Sequence, residues 1–541
     1  MDDPGEPVMD DTFDVVVVGF GAAGACAAIE AARAGASVLV CDRFGGGGAS
    51  ALSGGVVYAG GGTKPQRDAG VTDTPDAMFA YLRREVGDAV GERTLRRFCD
   101  ESVSMIEWLS ELGVPFEGSL CPYKTSYPSN RHYLYYSGSE ASGGFRDDAP
   151  PAPRGHRTKG KGTSGKVLYQ HLAAAARAAG AEIRTQANVQ ELLVDDGRVV
   201  GVAVATLADA PGWVRTAHRV CSKYAAKPGL YVPRLRRPLH RMAERLERRH
   251  ARLSQVTARR GVVLAAGGFV ANRAMMREHA PAFRRGLPLG TPGDDGRGIT
   301  MGTAAGGATR LLANVSAWRF ITPPSAFLSA LLVDENGLRF CDESRYGAAL
   351  GHAMITEHGG RGWLLADRAV VAEAKAQNRT QTVWFQRMQT NNLLRRRSVT
   401  APTVAEVARR AGIDPDGLAA TVEAHNAAAR RGEPDPIGKP ADFVRPLVEA
   451  PYTLLDISVR PSMSYPCPML TLGGLDVDED TGLVRREDGS TITGLYAAGR
   501  TAVGICSSSY VSGLSLADCV FSGRRAGVHA ATSVDKNENV F

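Results

Sequence analysis

Short apolar runs and an alanine-rich segment alternate near the start of the chain. Residues 14–18 carry four consecutive valines, which predict a buried parallel strand. Residues 25–34 are rich in alanine and predict a helix, which Gly35 ends. Residues 37–40, Ser-Val-Leu-Val, predict a second strand, so the pattern indicates a strand–helix–strand unit.

A second region of strands follows further along the chain. Residues 189–194 and 199–204 alternate around an Asp-Gly pair and predict a β-hairpin. A third strand should close this hairpin, but the segment 211–260 intervenes. Within that segment, apolar residues from Leu239 onward recur at helical spacing and predict an amphipathic helix of about 15 residues. Residues 261–264 predict a buried strand that leads into glycines.

The regions between these units differ in character. Residues 75–113 have a helical pattern, whereas residues 118–160 are rich in Gly, Pro, Ser and Tyr. The composition of the latter segment predicts loops and is not typical of a hydrophobic core. Residues 404–411 and 418–431 predict two further helices.

From residue 461 onward the sequence again shows the strand and helix pattern found near the start of the chain. Residues 495–499 predict a strand and residues 515–530 a helix. We therefore expect an α/β fold in which both chain ends, residues 1–288 and 461–541, build one cofactor-binding domain. Residues 289–460 would form an inserted α+β substrate or capping domain, with the site between the two.

Bulk composition is that of a globular enzyme. The 541 residues are 44% apolar and 22% charged, and no apolar run approaches the roughly 20 residues of a membrane span. Residues 1–11 are acidic and lack the pattern of a signal peptide, so we expect a cytoplasmic protein with a short flexible start. The nine cysteines are scattered without a C-x-x-C pair, so neither a disulfide framework nor a metal site is expected.

The net charge of +7 comes from one segment. Residues 211–260 hold 14 Lys or Arg and two Glu, so the rest of the chain is slightly acidic. Three interpretations remain open for this segment, which we treat as an insert: a solvated face, a subunit contact, or a membrane-surface helix that helps collect an apolar substrate. Nucleic-acid binding is not expected, because the charges lie in one insert rather than in a nucleic-acid-binding fold.

A glycine-rich loop follows the first predicted strand. In the sequence G-x-G-x-x-G, Gly19 permits the tight turn, Gly21 lets the backbone approach a pyrophosphate, and Gly24 lets the helix pack closely. Asp42 at the end of the second strand is placed to accept from a ribose hydroxyl. These features together predict a dinucleotide site. The Gly/Ser-rich residues 45–62 predict a long loop that can wrap a large cofactor, although a flexible linker is the alternative.

A second glycine-rich loop, late in the chain, carries hydroxyl groups. Tyr510 and Ser512 lie on either side of one valine, just before the predicted helix 515–530. A phenol and an alcohol can hold a carbonyl oxygen and move a proton, but neither transfers a hydride. The loop therefore requires a redox cofactor, which the first glycine-rich loop would bind.

The whole pattern resembles the FAD-dependent flavoproteins of the fumarate reductase/3-ketosteroid dehydrogenase superfamily. The matching motifs are Gly19–Gly24, Ser53–Gly55, Ala265–Phe269, Gly337–Phe340 with Glu343, Thr471–Gly474 and Gly494–Gly499. The resemblance implies a Rossmann-like FAD-binding domain of the glutathione-reductase type. Together, the motifs and the resemblance imply these cofactor contacts: Gly19, Gly21, Ala22, Ala23, Gly24, Asp42, Arg43, Ser50, Ser53, Gly54, Gly55, Val189, Ala265, Gly267, Gly499, Arg500, Ser515 and Leu516.

Within that superfamily the branches differ at the substrate. The fumarate reductase branch has a His and an Arg that grip dicarboxylates, and neither cation stands at residues 469–471 or 509–511. No counterpart of the covalent flavin histidine occurs around residues 50–55, so the resemblance implies non-covalent FAD. Tyr346, together with Tyr510 and Ser512, looks most like the 3-ketosteroid Δ4-(5α)-dehydrogenase type.

The resemblance thus implies desaturation of the C4–C5 bond of a 3-keto-5α-steroid, with an external electron acceptor. Tyr510 and a backbone N–H from residues 512–514 would polarise the ketone. Tyr346 would be the base with Ser512 as relay, and the two tyrosine roles could be exchanged. A Δ1-dehydrogenase or another ketone-adjacent desaturase remains an alternative, although Leu514 stands where that type has glycine. The alternative from a different functional class is a flavin-binding electron carrier or redox-responsive protein without steroid turnover. In that case Tyr346 and Tyr510 would only pack in the core.

Two features depart from the superfamily pattern. Arg500 stands where a Glu is common, and the basic insert is additional. Both leave the substrate open.

Overall fold

The computed structural model describes residues 9–229, 232–462 and 464–533, so the predicted flexible start lies mostly outside the described residues. The helices are α1 Ala22–Arg33, α2 Gly48–Leu52, α3 Lys64–Asp68, α4 Pro75–Val86, α5 Glu92–Asp100, α6 Ser102–Glu111, α7 Phe145–Asp148, α8 Gly165–Ala178, α9 Gly212–Ala226, α10 Pro233–His250, α11 Arg273–His279, α12 Arg297–Ala304, α13 Gly347–Glu357, α14 Arg368–Gln377, α15 Trp384–Arg396, α16 Val404–Ala411, α17 Pro415–Arg431 and α18 Leu514–Thr532. The strands are β1 Met9–Val18, β2 Val38–Asp42, β3 Val56–Tyr58, β4 Leu134–Tyr135, β5 Gly155–Arg157, β6 Glu182–Thr185, β7 Ala187–Asp195, β8 Arg198–Thr206, β9 Arg252–Leu264, β10 Leu287–Pro288, β11 Thr309–Arg310, β12 Val315–Ala317, β13 Leu331–Val333, β14 Trp363–Ala366, β15 Ser398–Ala401, β16 Tyr452–Asp456, β17 Pro468–Thr471, β18 Gly474–Leu475, β19 Leu483–Arg485 and β20 Thr491–Ala497. No helix among the described residues is long and apolar enough to cross a membrane.

The largest sheet joins both ends of the chain. Its order is β19-β20-β9-β1-β2-β6, with β20, β9, β1, β2 and β6 parallel to one another and the β7–β8 hairpin attached to β9. The valines of β1 are buried because the sheet is covered on both faces. This is the Rossmann-like α/β arrangement that the sequence predicts.

Helix α18 packs directly on α1. A Cβ atom at Gly523 would lie 2.4 Å from the carbonyl oxygen of Ala23, and one at Gly527 would lie 2.3 Å from that of Ala27. The alanine face of α1 and the glycines of α18 therefore allow close backbone approach. This contact sets residues 509–513, which precede α18 and which we call the tyrosine loop, against the glycine-rich loop at α1.

The middle of the chain supplies a separate antiparallel sheet. Its order is β13-β14-β16-β15, and α16 packs on β15 and β16. This sheet lies within residues 331–456, inside the predicted inserted domain. The boundaries at 288/289 and 460/461 stay a prediction.

The basic segment 211–260 is not one insert. Residues 212–250 contain the helical hairpin α9–α10, but β9 begins at Arg252 and belongs to the main sheet. Strand β9 pairs with β8, with Thr206 opposite Arg252. It is therefore the third strand that closes the predicted hairpin. The predicted helix begins at Pro233, earlier than expected, because a proline is tolerated in the first turn.

Two loop predictions are wrong. The Gly/Ser-rich residues 45–62 contain α2 and β3, and β3 pairs with β5 from residues 118–160. That second segment is core, with Arg154 and Arg157 fully buried. Arg154 is held by a two-pronged ion pair with Asp73, at 2.9 Å and 2.7 Å, and Arg157 donates to several backbone carbonyls. Charge-assisted hydrogen bonds replace apolar packing there.

Candidate active site

In the first glycine-rich loop, close backbone contacts leave no room for a side chain at two positions. Gly19 has a φ of +101°, and a Cβ atom there would lie 2.6 Å from the carbonyl oxygen of Ala265. A Cβ atom at Gly24 would lie 1.9 Å from the carbonyl oxygen of Gly19. Strand, loop and α1 therefore pack so closely that only glycine fits, and the N-terminus of α1 opens into a cavity.

Two predicted cofactor residues also hold the loop itself. The carboxylate of Asp42 accepts from the backbone N–H groups of Phe20 at 3.0 Å, Phe44 at 2.9 Å and Gly46 at 3.0 Å. The hydroxyl of Ser50 accepts from the N–H of Ala22 at 3.0 Å. Asp42 therefore orders the cavity wall, and a carboxylate with three such hydrogen bonds keeps one lone pair for the predicted contact with a ribose hydroxyl.

One cavity of about 690 Å³ is lined both by this loop and by Tyr510 of the tyrosine loop. Most predicted cofactor residues line it: Gly19, Gly21, Ala22, Ala23, Asp42, Arg43, Ser50, Ser53, Val189, Ala265, Gly267, Gly499, Arg500, Ser515 and Leu516. Gly24, Gly54 and Gly55 do not line it. Gly54 abuts the Tyr127 ring and Gly55 the backbone of Ser164, so these glycines serve packing.

Arg500 leaves a polar group in the cavity wall without a protein partner. Its Nη2 pairs with Asp294 at 2.6 Å, and both side chains are buried. Its Nη1 is buried with no hydrogen-bond partner among the described residues. A buried donor normally has an acceptor, so the oxygens of a bound dinucleotide cofactor fit this wall.

The other end of the cavity is aromatic. The ring of Tyr510 stacks on Trp318 at 5.2 Å, and the Tyr346 ring lies 6.2 Å from Tyr510 and 5.7 Å from Phe320. Tyr510, Trp318 and Leu470 line the cavity. Tyr346 and Ser512 are buried behind Tyr510 and do not line it.

Glu343 explains how Tyr346 is anchored. It is fully buried, pairs with Arg339 at 2.9 Å and with Lys439 at 2.9 Å, and accepts from the N–H of Leu332 at 2.7 Å. Its role is therefore structural. It holds the segment in which the N–H of Tyr346 donates to Ser139 at 3.1 Å.

The Ser512 hydroxyl interacts with the hydroxyls of Tyr135 and Tyr346. It lies 3.0 Å from that of Tyr135, and its hydrogen bonding lowers the pKa of Tyr346 against the larger effect of burial. Tyr135 was missed by the sequence reasoning because it lies in the segment predicted as loop. The alternation of Tyr133, Leu134 and Tyr135 was the available signal for a strand.

Burial governs the protonation of these phenols. It raises the pKa of Tyr346 well above its ordinary value, with the neighbouring Tyr510 and Tyr135 acting in the same direction. Burial and Cys506 raise the pKa of Tyr510, while the backbone N–H of Gly513 lowers it. Both phenols are therefore protonated at neutral pH and available as hydrogen-bond donors.

The backbone N–H groups of residues 512–514 all have partners within the protein. The N–H of Ser512 donates to the carbonyl oxygen of Ser137 at 3.2 Å, and that of Leu514 donates to the carbonyl oxygen of Val511 at 3.1 Å. The N–H of Gly513 donates to the hydroxyl oxygen of Tyr510, and this hydrogen bond lowers the pKa of that phenol against the larger effect of burial. Gly513 has a φ of +95°, and a Cβ atom there would lie 2.8 Å from the N of Tyr58, so glycine is required.

The helical hairpin also reaches the cavity, which the sequence reasoning did not anticipate. Five residues of α9 line it: His218, Arg219, Ser222, Lys223 and Ala226. No periodicity could have placed them there, because their neighbours in the wall come from distant strands.

Comparison with known proteins agrees with this geometry. Residues 14–513 match the family model described as FAD binding domain. The chain is 41% identical to a 3-oxo-5-alpha-steroid 4-dehydrogenase of Comamonas testosteroni, over 90% of this chain and 92% of that protein. It is 29% identical to a 3-oxosteroid 1-dehydrogenase of Mycobacterium tuberculosis, over 97% and 99% of the two chains.

A solved structure is similar along almost its whole length. It is the 3-ketosteroid-delta4-(5alpha)-dehydrogenase from Rhodococcus jostii RHA1 in complex with 4-androstene-3,17-dione. The TM-score is 0.81 at 32% identity, and the match covers 98% of each chain.

Proposed function

Because the chain belongs to the FAD binding domain family, which its residues 14–513 match, we propose that it oxidises the C4–C5 bond of a 3-keto-5α-steroid. FAD is its cofactor, and it is an oxidoreductase. The relative from Comamonas testosteroni is named for 4-dehydrogenation of a 3-oxo-5-alpha-steroid, and the similar structure contains 4-androstene-3,17-dione. These two findings support the substrate class.

The observation that carries the proposal is the arrangement around Tyr510. Its phenol lines an apolar wall formed with Trp318 and Leu470, and a second phenol and Ser512 lie directly behind it. Apolar walls suit a steroid ring system, and a protonated phenol suits its ketone oxygen. A dicarboxylate would instead require cations at this end of the cavity.

Bound FAD supplies the chemistry of hydride acceptance, and an external electron acceptor reoxidises it. Tyr510 donates a hydrogen bond to the C3 ketone, and the N–H of Gly513 supports it by donating to the Tyr510 hydroxyl oxygen. As the C4 proton leaves, negative charge develops on the ketone oxygen, so this donor stabilises the transition state more than the ground state.

In this proposal the C4 proton passes to Tyr346, which lies behind Tyr510 and outside the cavity wall, so the step requires one of the two tyrosine rings to move when the steroid binds. A phenol with a raised pKa is a poor base at neutral pH, so Tyr346 must pass on its own proton as it accepts the new one. Ser512 takes that proton and passes its own to Tyr135, because the two hydroxyls lie 3.0 Å apart. Tyr135 in turn releases its phenol proton to bulk solvent, so the proton from C4 is balanced by one that leaves the site. The roles of Tyr346 and Tyr510 would be exchanged if the ketone bound in the opposite orientation.

Product analysis distinguishes C4–C5 from Δ1 chemistry. Purified holoenzyme is mixed anaerobically with 5α-androstane-3,17-dione or with androst-4-ene-3,17-dione. We expect the first steroid to bleach the flavin absorbance and to give the 4-ene product, and the second to leave the flavin oxidised. Bleaching by both with 1-ene products supports the Δ1 alternative, and bleaching by neither refutes dehydrogenation of these ketones.

We further propose that the outer surface of the α9–α10 hairpin touches membrane lipid. Trp213, Val220, Tyr224 and Met242 are exposed there among many basic residues. Exposed apolar side chains with surrounding cations suit an anionic interface, where apolar steroids accumulate. Co-sedimentation with vesicles containing phosphatidylserine should fall for Trp213→Ala/Tyr224→Ala, and equal co-sedimentation of this variant and the wild type contradicts the contact.

A further inference from the structure

The helical hairpin α9–α10 borders one particular end of the cofactor cavity. Its residues His218 and Lys223 line the cavity together with Asp42, Phe44 and residues 185–189. The Phe44 and His218 rings are stacked at 6.0 Å, with an angle of 19° between their planes. In this type of fold, the acidic residue that ends the second strand marks the ribose, so the hairpin lies at the adenosine end.

A buried hydrogen-bond network fixes the hairpin at this place. The amide nitrogen of Gln186 donates to Nδ1 of His218 at 2.9 Å, so Nδ1 is the acceptor and the ring N–H is on Nε2, which donates to Glu247 at 2.9 Å. Arg43 donates to the same carboxylate from Nε at 3.1 Å and from Nη2 at 2.9 Å. Both helices are thereby joined to the strand ends that bear the predicted adenosine contacts.

The charge on Glu247 is stabilised by these partners. Burial alone would raise its pKa, but the hydrogen bonds from His218 and Arg43 lower the pKa to about 2. The carboxylate is therefore ionised throughout the physiological range and keeps Arg43 in position.

The hairpin also contacts a second segment of the cavity wall. Arg236 of α10 donates to the carbonyl oxygen of Gly290 at 3.3 Å. Gly290 belongs to residues 289–295, which line the cavity. The hairpin is thus held at the cavity wall both by Arg43 and by the segment that contains Gly290.

The main sheet does not require this hairpin. The hairpin has a small core of its own, made of Leu207, Ala210, Val214 and Leu246. The β8–β9 ladder closes with Thr206 opposite Arg252, so a two-residue turn could join the strands directly. Its position over the cavity is therefore separable from the stability of the sheet.

We propose that the α9–α10 hairpin is a cover that retains FAD by closing the adenosine end of its cavity. Arg219 and Lys223 lie one turn apart on the cavity side of α9, are exposed, and attract the negatively charged pyrophosphate. The cover acts on the cofactor alone and operates whichever steroid bond is oxidised.

The test measures the rate of FAD release from holoenzyme, by the recovery of flavin fluorescence after dilution. In one variant, Asn-Gly replaces residues 207–251, and in a second, Arg219→Ala and Lys223→Ala are combined. We expect the first to release FAD at least tenfold faster than the wild type. The second should release it about threefold faster, with a weaker dependence of the rate on salt.

The matched control is Arg245→Ala/Arg249→Ala, which removes the same charge from exposed positions of α10 that do not line the cavity. It should release FAD at the wild-type rate. A folded hairpin-deletion variant with the wild-type release rate overturns the proposal. If that variant does not fold, an Arg219→Ala/Lys223→Ala rate equal to that of the control overturns it instead.

Discussion

Asp518 makes the stability of the protein depend on pH in an unusual direction. It lies on α18, five residues after the tyrosine loop, and its carboxyl group is buried close to Gly504 and Cys506. Burial raises its pKa from 3.8 to about 6, and the positive charge of Arg525 only partly opposes this. The folded state therefore binds a proton between pH 4 and 6 that the unfolded state has released.

The sign and size follow from linkage. Stability falls as pH rises through this window, because the unfolded state binds fewer protons there, and the full loss is about 3 kcal/mol. Between pH 4.5 and 8 the loss is about 2 kcal/mol. With an unfolding entropy of about 2.1 cal/mol/K per residue, this corresponds to about 2 °C in Tm.

Thermal unfolding of Asp518→Asn holoenzyme, followed by circular dichroism, tests this. The amide keeps the shape but cannot ionise, so the Tm of the variant relative to the wild type should be about 2 °C higher at pH 8 than at pH 4.5. Asp100→Asn, at an exposed position on α5, is the control and should show the same relative Tm at both pH values. An equal relative Tm of Asp518→Asn at both pH values would refute the reasoning.

Three further predictions concern the site. Tyr510→Phe should lower kcat about 10²-fold or more while FAD stays bound, because one donor to the ketone oxygen is lost; full turnover on a 3-ketosteroid would contradict this role. Tyr135→Phe should lower kcat about tenfold with little change in KM and increase the solvent isotope effect, since the relay from Ser512 is broken; an unchanged isotope effect would leave Tyr135 a packing residue. Gly24→Ala should yield protein without flavin absorbance, because its Cβ atom would lie 1.9 Å from the carbonyl oxygen of Gly19; Gly212→Ala, at an exposed position with no atom near the added Cβ, is the control.

Much of the fold could be predicted from local signals in the sequence. The valines of β1, the glycines of the loop after it and the Asp196–Gly197 turn all specify structure within a few residues, and each element formed where it was predicted. The cofactor end of the site followed from the same local chemistry.

What the sequence could not give depends on partners far along the chain. Arg154 is buried because Asp73 neutralises it, and Tyr135 belongs to the site because Ser512 lies against it, 377 positions away. The position of α9 over the cavity depends on Glu247 reaching Arg43, 204 positions earlier. In a single sequence, polar segments with such partners have the composition of loops. The sequence shows that a residue is charged, but it does not show the distant residue of opposite charge that allows it to be buried.

The contact between α1 and α18 also has a consequence for synthesis of the protein. Helix α1 ends at Arg33 and α18 begins at Leu514, so the ribosome needs roughly 25 to 100 seconds to make the intervening chain. Throughout that time the alanine face of α1 lacks the helix that covers it, and the tyrosine loop has not been made. The flavin site can therefore be completed only late in translation, and a nascent chain that stalls before α18 presents an uncovered apolar helix to chaperones and proteases.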